Sequence, residues 1–408
     1  MATAAPASLT IRSPGPLRIL ITANYLDAAG GLERTQLTNC AGLARRGHRL
    51  DLVYVHSGSF EPDWRDMAET MSQVPGTLPR RAHPLRSTFD VTAAVRRARR
   101  LQPDVVYVYR YWDLPFAVAV ARGRPTAVVY HLCLPPPDPL PRWLRAVLGR
   151  VDATVSVSRH TLDLWRDTGL DLSRATVALT AVDIDHFAPG DARTRAHTRS
   201  DLGLGEEDFV ILFAGRISPE KGIDVLVEAF GQLSPLLPRG RLVVVGSPSP
   251  ASSGLSSPYE SRLHALGDGL PVTWLPRRAD VVPLLQAADV AVVPSRWPEP
   301  LSRSIIEPLA CGVPVVATDV GGSPEVLTGW LSEYLVPSDD PGALAARLQA
   351  LHDWRTNDPE LGERCRQAAE SRLSLSDELD VVEATMRGAV GAARTKRRRR
   401  REAGHRAR

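Results

Sequence analysis

The sequence predicts an α/β protein built from two doubly wound parallel-sheet domains that face each other across a cleft. Short apolar runs such as VVYVY and LVVVG, which suit parallel strands buried on both faces, alternate with amphipathic stretches along the chain. This alternation favours right-handed strand–helix–strand units. The polar, glycine-containing stretch 189–207 separates two halves, and each half restarts with a strand that runs into a glycine-containing turn. Ligands in such sheets bind at the carboxyl ends of strands, so we expect a site between the halves.

Each apolar run predicts one strand, and each amphipathic stretch predicts one helix. In the first half, strands are expected at residues 18–23, 49–56, 104–109, 126–132, 153–158 and 176–180, with helices at 31–46, 91–101, 141–149 and 159–168. In the second half, strands are expected at 209–215, 241–246, 272–275, 290–294 and 314–318, with helices at 222–233, 258–266, 280–287, 302–310 and 341–352.

Changes in composition divide the 408 residues into six segments. Residues 1–16 lack a long apolar stretch and are interrupted by Arg12, Pro14 and Pro16, which indicates a short disordered leader rather than a signal peptide. The other expected segments are an N-terminal domain at 17–188, a linker at 189–207, a C-terminal domain at 208–375, a helix at 376–393, and a basic disordered tail at 394–408.

The formal net charge of +4 is unevenly distributed. Residues 394–408 hold nine Lys/Arg and one Glu, a net +8, so the rest of the chain carries −4. The folded part is therefore not expected to present a basic nucleic-acid-binding face. Three interpretations of the tail are open: it stays disordered in solvent, it contacts nucleic acid nonspecifically, or it contacts an anionic membrane weakly. We expect the third. No aromatic residue interrupts it, so specific nucleic-acid recognition is not predicted.

The four cysteines are scattered without short pairing, which argues against a disulfide framework or a zinc site and favours a reducing compartment. The sequence contains no run of about 18 apolar residues, so no membrane span is predicted. We therefore expect a cytoplasmic protein, peripheral at the inner face of the membrane if the tail binds lipid.

The segment FAGRISPEKGIDVLVEAF places two cations at the end of a predicted strand. Gly215 and Arg216 follow the strand, and Lys221 directly precedes the next helix. Backbone N–H groups and the helix dipole favour an anion at this position. Arg adds a bidentate fork for phosphate and Lys adds a point charge. The alternative is that both are ordinary surface cations.

Two carboxylates follow a later predicted strand. Glu299 lies in the loop after it, and Glu307 lies eight residues on, in an otherwise apolar helix where an unpaired charge would be costly. Carboxylates accept hydrogen bonds from the vicinal hydroxyls of sugars and ribose. A solvent-facing role for Glu307, or a general acid–base role for the pair, stays open because the spacing alone does not fix the distance between the carboxyl groups.

Together these two segments resemble the retaining nucleotide-sugar glycosyltransferases of family 4. The resemblance is carried by Arg216 and Lys221 within GRISPEKG, and by Glu299 and Glu307 within EPLSRSIIEPLACGVPVVAT, followed by VGGSPEV. It extends over about residues 18–386 and implies the GT-B fold, two Rossmann-like domains with a cleft between them. It further implies that the N-terminal domain at 17–188 lies on the acceptor side and that the C-terminal domain at 208–375 binds the nucleotide sugar.

The first half also resembles this family, through shorter motifs. Gly30 and Gly31 follow the first predicted strand, and Gly47–His48 enter the second. His131 ends a strand at the position of the family's donor-site histidine. The resemblance implies that His131 faces the donor sugar and that Gly31 lets backbone N–H groups approach the diphosphate without an intervening Cβ.

In the second half, the resemblance implies that Arg216 and Lys221 bind the donor diphosphate next to Gly215. It further implies that Glu307 holds the ribose and that Glu299 contacts the hydroxyls of the transferred sugar. The backbone that follows Glu299 would lie near the sugar and the phosphates; it comprises Pro300, Leu301 and Ser302. The family usually has Phe-Gly where Leu301–Ser302 stands here, so a Cβ at position 302 narrows the approach to the donor.

The activity implied by the resemblance is metal-independent transfer of a sugar from a UDP- or GDP-sugar to a hydroxyl acceptor, which could be a glycan, a lipid-linked molecule or a small molecule. The family's mechanism is front-face attack, in which the leaving phosphate takes the proton, so no protein nucleophile, cofactor or metal is expected. The alternatives are a nucleotide-sugar epimerase on the same fold and a non-catalytic binding module. A phosphorylase would need a lysine-bound pyridoxal cofactor, and the only lysines are Lys221 and Lys396.

Overall fold

The computed structural model describes residues 15–27, 30–79, 84–247 and 258–406. It contains two sheets in which all the paired strands are parallel. The expected leader lies almost wholly outside the described residues. Among the described helices, none combines the length and the apolar character needed to cross a membrane.

The first domain has a seven-stranded sheet with the order β3-β2-β1-β4-β5-β6-β7. Its strands are β1 (Arg18–Tyr25), β2 (Arg49–His56), β3 (Ala68–Gln73), β4 (Val105–Val108), β5 (Ala127–Leu132), β6 (Ala153–Ser156) and β7 (Thr176–Val177). Its helices are α1 (Gly31–Arg45), α2 (Glu61–Met67), α3 (Pro84–Arg100), α4 (Leu114–Ala121), α5 (Arg142–Leu148) and α6 (Arg159–Arg166). Side chains of alternate strand residues enter two cores, one on each face of the sheet.

The second domain has a six-stranded sheet with the order β10-β9-β8-β11-β12-β13. Its strands are β8 (Phe209–Ala214), β9 (Gly240–Val245), β10 (Val272–Leu275), β11 (Val290–Val293), β12 (Val315–Thr318) and β13 (Leu335–Val336). The helices of this half are α7 (Ala192–Asp201), α8 (Ile223–Leu233), α9 (Pro258–Leu266), α10 (Val282–Ala287), α11 (Arg303–Ala310), α12 (Ser323–Val326), α13 (Pro341–Ala350), α14 (Trp354–Asn357), α15 (Leu361–Arg372) and α16 (Leu375–Arg406).

All eleven predicted strands are present, with ends that differ by at most three residues, and the parallel two-sheet architecture is confirmed. The prediction missed β3 and β13. Four of the six residues of β3, AETMSQ, are polar, and this strand lies at a sheet edge, whereas β13 is only two residues long. Neither has the long apolar run that marks a buried parallel strand.

The expected linker at 189–207 is instead largely part of the second domain. It contains α7, whose N-cap Asp191 accepts a hydrogen bond from the Thr194 N–H. Arg195 and Arg199 on this helix form ion pairs with the buried Asp289 at 2.5 and 2.6 Å. Because these arginines anchor the helix through a partner 90 residues away, a polar composition was misinterpreted as an unpacked connection.

The prediction of a disordered tail from residue 394 is also wrong over the described residues, because α16 continues to Arg406. The first half of α16 packs on the first domain, where Leu379, Val382 and Met386 join its core. Arg394 then forms an ion pair with Asp104 at 2.6 Å. Arg and Lys are good helix formers, and extending a packed helix requires no new nucleus.

The chain crosses between the domains twice, and the two crossings are hydrogen-bonded to each other. The Val182 N–H donates to the Leu373 carbonyl at 3.1 Å, and the Leu375 N–H donates to the Val182 carbonyl at 2.9 Å. Next to them the buried Glu378 accepts hydrogen bonds from Asn39 Nδ2 at 2.7 Å and from the Ala181 N–H at 2.9 Å. Burial raises the pKa of Glu378 to about 7.

Candidate active site

The carboxyl end of β8 leads into a tightly packed turn that carries both predicted cations. Gly215 and Arg216 follow the strand, and a short 3-10 turn at Pro219–Lys221 precedes α8. Gly222 joins this turn to the helix with φ +64°, and a Cβ there would lie 1.9 Å from the Pro294 carbonyl oxygen. The turn therefore packs against the end of β11 as closely as the backbone allows.

Lys221 and Glu299, predicted to share one site, are in direct contact. Lys221 Nζ lies 2.7 Å from Glu299 Oε2, and Ser295 Oγ donates to Glu299 Oε1 at 2.5 Å. The two charged side chains are 19% and 17% exposed, so the pair is neither fully buried nor fully solvated. The structure thus joins the loops that follow β8 and β11 through this ion pair.

Arg216 lies five residues before Lys221 in the sequence, and its side chain is exposed. It has no hydrogen-bond or ion-pair partner among the described residues. Its guanidinium is therefore available to an external anion, whereas the ammonium of Lys221 would be shared between such an anion and Glu299.

Glu307 is paired within its own helix. Arg303 Nε donates to Glu307 Oε1 at 3.0 Å, and Arg303 Nη1 also donates to the Ala181 carbonyl at the interdomain crossing. Ser304 Oγ donates to the Ala214 carbonyl at 3.1 Å, which ties the start of α11 to the end of β8. The sequence analysis missed Arg303, although Arg and Glu four residues apart on a helix are a recognisable pair.

The backbone after Glu299 is held by two glycines. The Gly322 N–H donates to the Glu299 carbonyl at 2.9 Å. A Cβ on Gly321, where φ is +61°, would lie 2.3 Å from that carbonyl oxygen, and one on Gly322 would lie 2.3 Å from the Pro300 carbonyl oxygen. Among the residues expected to lie near the donor, Leu301 packs against the second-domain core and Ser302 is buried at the start of α11.

The first domain presents the start of α1 to these residues. Gly31 is exposed, and a Cβ there would have no atom within 4 Å, so the backbone is open to approach. Arg34, one turn later, was not singled out by the sequence analysis. Burial lowers the pKa of Arg34, the charge of Glu307 opposes this effect, and Arg277 and Arg303 add to it. Arg34 in the first turn of α1 is therefore within electrostatic range of Glu307 and Arg303 of the second domain.

His131 lies at the end of β5, as predicted, but not at an open surface. It is fully buried, and its Nδ1 lies 2.6 Å from the Tyr107 hydroxyl. Nε2 has no hydrogen-bond partner among the described residues. Burial lowers the pKa of His131 to about 3, so the imidazole is neutral near pH 7. The expected cleft-facing position is thus corrected: a sugar could reach this side chain only after its surroundings move.

As a whole, the arrangement offers cations for an anion and carboxylates for hydroxyl groups. The described residues contain no cluster of three or more His, Cys, Asp or Glu side chains that could hold a metal ion. Two parallel-sheet domains with these groups at strand ends have the architecture of the GT-B fold class.

Sequence comparison places the chain in a family. Residues 29–186 match the profile described as Glycosyltransferase Family 4, and residues 194–372 match Glycosyl transferases group 1. A D-inositol 3-phosphate glycosyltransferase of Mycobacterium bovis is 34% identical over 409 residues, which cover 91% of this chain and 82% of the relative. The chain therefore belongs to glycosyltransferase family 4, as the motifs around Arg216 and Glu299 predicted.

Other relatives match over a shorter length. A protein of the same description from Mycobacterium sp. strain KMS is 40% identical over 187 residues, which span 44% of this chain and only 40% of the relative. Among solved structures, HepE from Anabaena in complex with UDP superposes with a TM-score of 0.78 at 20% identity, covering 91% of this chain and all of the other. A glycosyltransferase from Rickettsia africae gives a TM-score of 0.79 at 18% identity over 92% of this chain and 99% of the other. These likenesses confirm the fold.

Proposed function

We propose that this protein is a retaining glycosyltransferase that moves a sugar from a nucleoside diphosphate sugar to a hydroxyl acceptor without a metal ion. The observation that carries the proposal is the contact between Lys221 and Glu299 beside the exposed Arg216, at the carboxyl end of β8. A cation that touches a carboxylate suits a ligand in which phosphate and sugar hydroxyls are neighbours.

The donor is a UDP- or GDP-sugar, and UDP-sugars are the first to test. HepE, which shares the fold, has been solved with UDP and with UDP-glucose. In this chain Arg216 and Lys221 would bind the diphosphate. Glu307, oriented by Arg303, would accept hydrogen bonds from the ribose hydroxyls.

The acceptor is a small polyol phosphate, with glycan and lipid-linked acceptors as the alternatives. Support comes from the relative of Mycobacterium bovis, whose description names D-inositol 3-phosphate and which matches over most of both chains. The acceptor hydroxyl would approach the donor from the first domain, where the backbone at Gly31 is open and the charge of Glu307 acts on Arg34.

The reaction follows from where charge develops. The bond between the anomeric carbon and the phosphate oxygen breaks, while the acceptor oxygen forms a bond to that carbon on the same face, and the acceptor proton passes to the leaving phosphate. Arg216, Lys221 and the backbone N–H groups at the start of α8 stabilise the charge on that phosphate. Glu299 holds the sugar hydroxyls, and the buried, neutral His131 could not supply a proton as an imidazolium near pH 7.

The direct test is a transfer assay on the full chain. UDP-glucose, UDP-N-acetylglucosamine and GDP-mannose would each be incubated with and without D-inositol 3-phosphate, and with excess chelator. We expect acceptor-dependent release of the nucleoside diphosphate from one donor, unchanged by chelator. NMR of the product should show the anomeric configuration of the donor.

Variants and products separate the alternatives. Arg216→Ala should lose most activity, whereas Arg239→Ala, which changes an exposed arginine of the same domain, should not. An epimerised sugar without a transfer product would favour the epimerase. Donor binding without any turnover across a broad acceptor panel would favour the binding module, and an inverted anomer would overturn the retaining mechanism.

A further inference from the structure

A cavity lies at the end of the first-domain sheet that is opposite to His131. It has a volume of about 770 Å³ and lies between the end of α4, the start of β5, the end of α5 and the distal part of α16. Thr126 in its wall precedes β5, whereas His131 is near the end of that strand. At about 3.3 Å per residue, the two lie roughly 16 Å apart, so this cavity is separate from the candidate active site.

Its wall is strongly cationic. Five cations, Arg122, Arg124, Arg150, Lys396 and Arg397, and one carboxylate, Asp152, give a net charge of +4. This patch lies on a chain that carries a net −4 outside residues 394–408, so the positive charge is concentrated here and along the end of α16.

Most of these cations are not neutralised by the protein. Arg124 and Arg150 donate to the backbone carbonyls of Arg99 and Ala146, which carry no formal charge. Among the described residues, Arg122 and Arg397 form no ion pair. Guanidinium groups that have no carboxylate partner can bind the oxygens of a phosphate in a bidentate manner.

The rest of the wall is apolar. Val118, Ala119 and Ala121 of α4 are only half-buried, and Val147 of α5 faces the same cavity. Trp143, four residues before Val147 and hence on the same side of α5, is 41% exposed. An exposed indole beside an apolar wall with a cationic rim is typical of a protein surface that contacts a membrane interface.

We propose that this cavity binds the phosphate headgroup of an anionic phospholipid and holds the first domain against a membrane surface. Arg122, Arg150, Lys396 and Arg397 bind the headgroup, and the walls of α4 and α5 contact the apolar part of the lipid. No aromatic residue lines the cavity itself, and Trp143 beside it offers only one ring on which a base could stack, which disfavours nucleic acid. The proposal does not depend on the transferase activity.

The test is co-sedimentation of the full chain with vesicles of phosphatidylcholine alone or mixed with phosphatidylglycerol. We expect binding to the anionic vesicles only. Arg122→Glu/Arg150→Glu, which leaves α16 intact, should weaken it by at least about tenfold because two attractive charges become repulsive. The matched control is Arg65→Glu/Arg239→Glu, which reverses two exposed arginines far from the cavity in sequence and should bind nearly as well as the wild type.

Soluble ligands distinguish the source of the phosphate. A short-chain phosphatidylglycerol should raise the unfolding temperature of the wild type but not of the cavity variant, and glycerol 1-phosphate or inorganic phosphate should have little effect. Equal protection by the free phosphates would overturn the lipid assignment. Equal vesicle binding by the cavity variant and its control would show that the cavity is not the lipid site. If the wild type bound a homopolymer RNA but no vesicles, the lipid assignment would also be overturned.

Discussion

Glu325 of the second domain accepts a hydrogen bond from the backbone N–H of His160 in the first domain, at 2.7 Å. Its other carboxylate oxygen accepts one from the Arg159 N–H, also at 2.7 Å. Both N–H groups belong to the first turn of α6, where a helix has no internal partners for them and its dipole favours a negative charge. Glu325 thus joins the domains a few residues after Gly321 and Gly322, which pack on Glu299 and Pro300.

The first prediction concerns this interdomain contact. Glu325→Ala should lower kcat by about ten- to a hundredfold, because two charge-assisted hydrogen bonds, each contributing ~1.5–3 kcal/mol, no longer hold the first domain over the donor. The calorimetric affinity for UDP should change little, since the residues proposed to bind it are in the second domain. Glu333→Ala, at an exposed carboxylate of the same domain, is the matched control, and an equal kcat in the two variants would contradict the role.

The second prediction concerns the ion pair at the candidate active site. Lys221→Ala should lower turnover by ~10²–10³ and weaken UDP binding, because it removes a charge that we propose to stabilise the leaving phosphate. Glu299→Gln keeps a group that can accept from Ser295 Oγ and removes the negative charge beside Lys221. It should lower turnover while UDP binding is kept or strengthened. Measured kcat and calorimetric Kd separate the two effects, and a Glu299→Gln variant with normal kcat would rule out the sugar-contact role.

The third prediction concerns the turn that precedes α8. Gly222→Ala should destabilise the protein by roughly 2–4 kcal/mol, because alanine is strained at φ +64° and its Cβ would overlap the Pro294 carbonyl. Gly231→Ala, within α8, is the control. Its Cβ would meet only Leu270 Cδ1 at an ordinary 3.6 Å, and stability should be unchanged or higher. Urea unfolding of both variants checks this, and equal midpoints would show that the turn can relax.

The fourth prediction is a pH dependence set by Glu378. Burial raises its pKa to about 7, above the ordinary value of 4.5, so the folded protein holds a proton that the unfolded chain has released. The contribution of Glu378 to the free energy of unfolding is therefore fully present below pH 4.5. It is lost as the pH rises towards 7, and the loss is on the order of 3 kcal/mol.

The variant that tests this is Glu378→Gln, a mimic of the protonated acid. Asn39 Oδ1 has no partner among the described residues, so a turned Asn39 amide could accept from the new glutamine. Unfolding midpoints between pH 5 and 8 should fall less for the variant than for the wild type. Parallel curves for the two proteins would show that Glu378 does not titrate in this range.

The architecture could be predicted because its signals are local. Buried parallel strands such as β8 and β9 are continuous apolar runs, and their length and spacing determine the two-sheet arrangement. The errors arose where a partner distant in sequence decides the structure. Asp289 makes a helix out of the polar segment around Arg199, and packing of Met386 on the first domain supports a helix that then extends into the basic run.

The same distinction applies to the candidate active site. The spacing within each motif placed Lys221 and Glu299 at strand ends, and the contact between them follows from two neighbouring strands, β8 and β11. Arg34 could not be linked to Glu307 from sequence, because that proximity depends on how two domains meet. The burial of His131 likewise depends on Tyr107 and Tyr109, which come from the adjacent strand and its end.

Val182 is hydrogen-bonded to both Leu373 and Leu375. The second domain is therefore inserted into the first, and the two ends of the inserted segment lie next to each other. The polypeptide enters and leaves it at one point, and the final helix belongs to the first domain. A short glycine-containing bridge from residue 181 to residue 375 should therefore leave the first domain with its own complete core. Residues 183–373 form the corresponding cassette, and exchanging it between relatives would test whether this half sets the proposed donor preference.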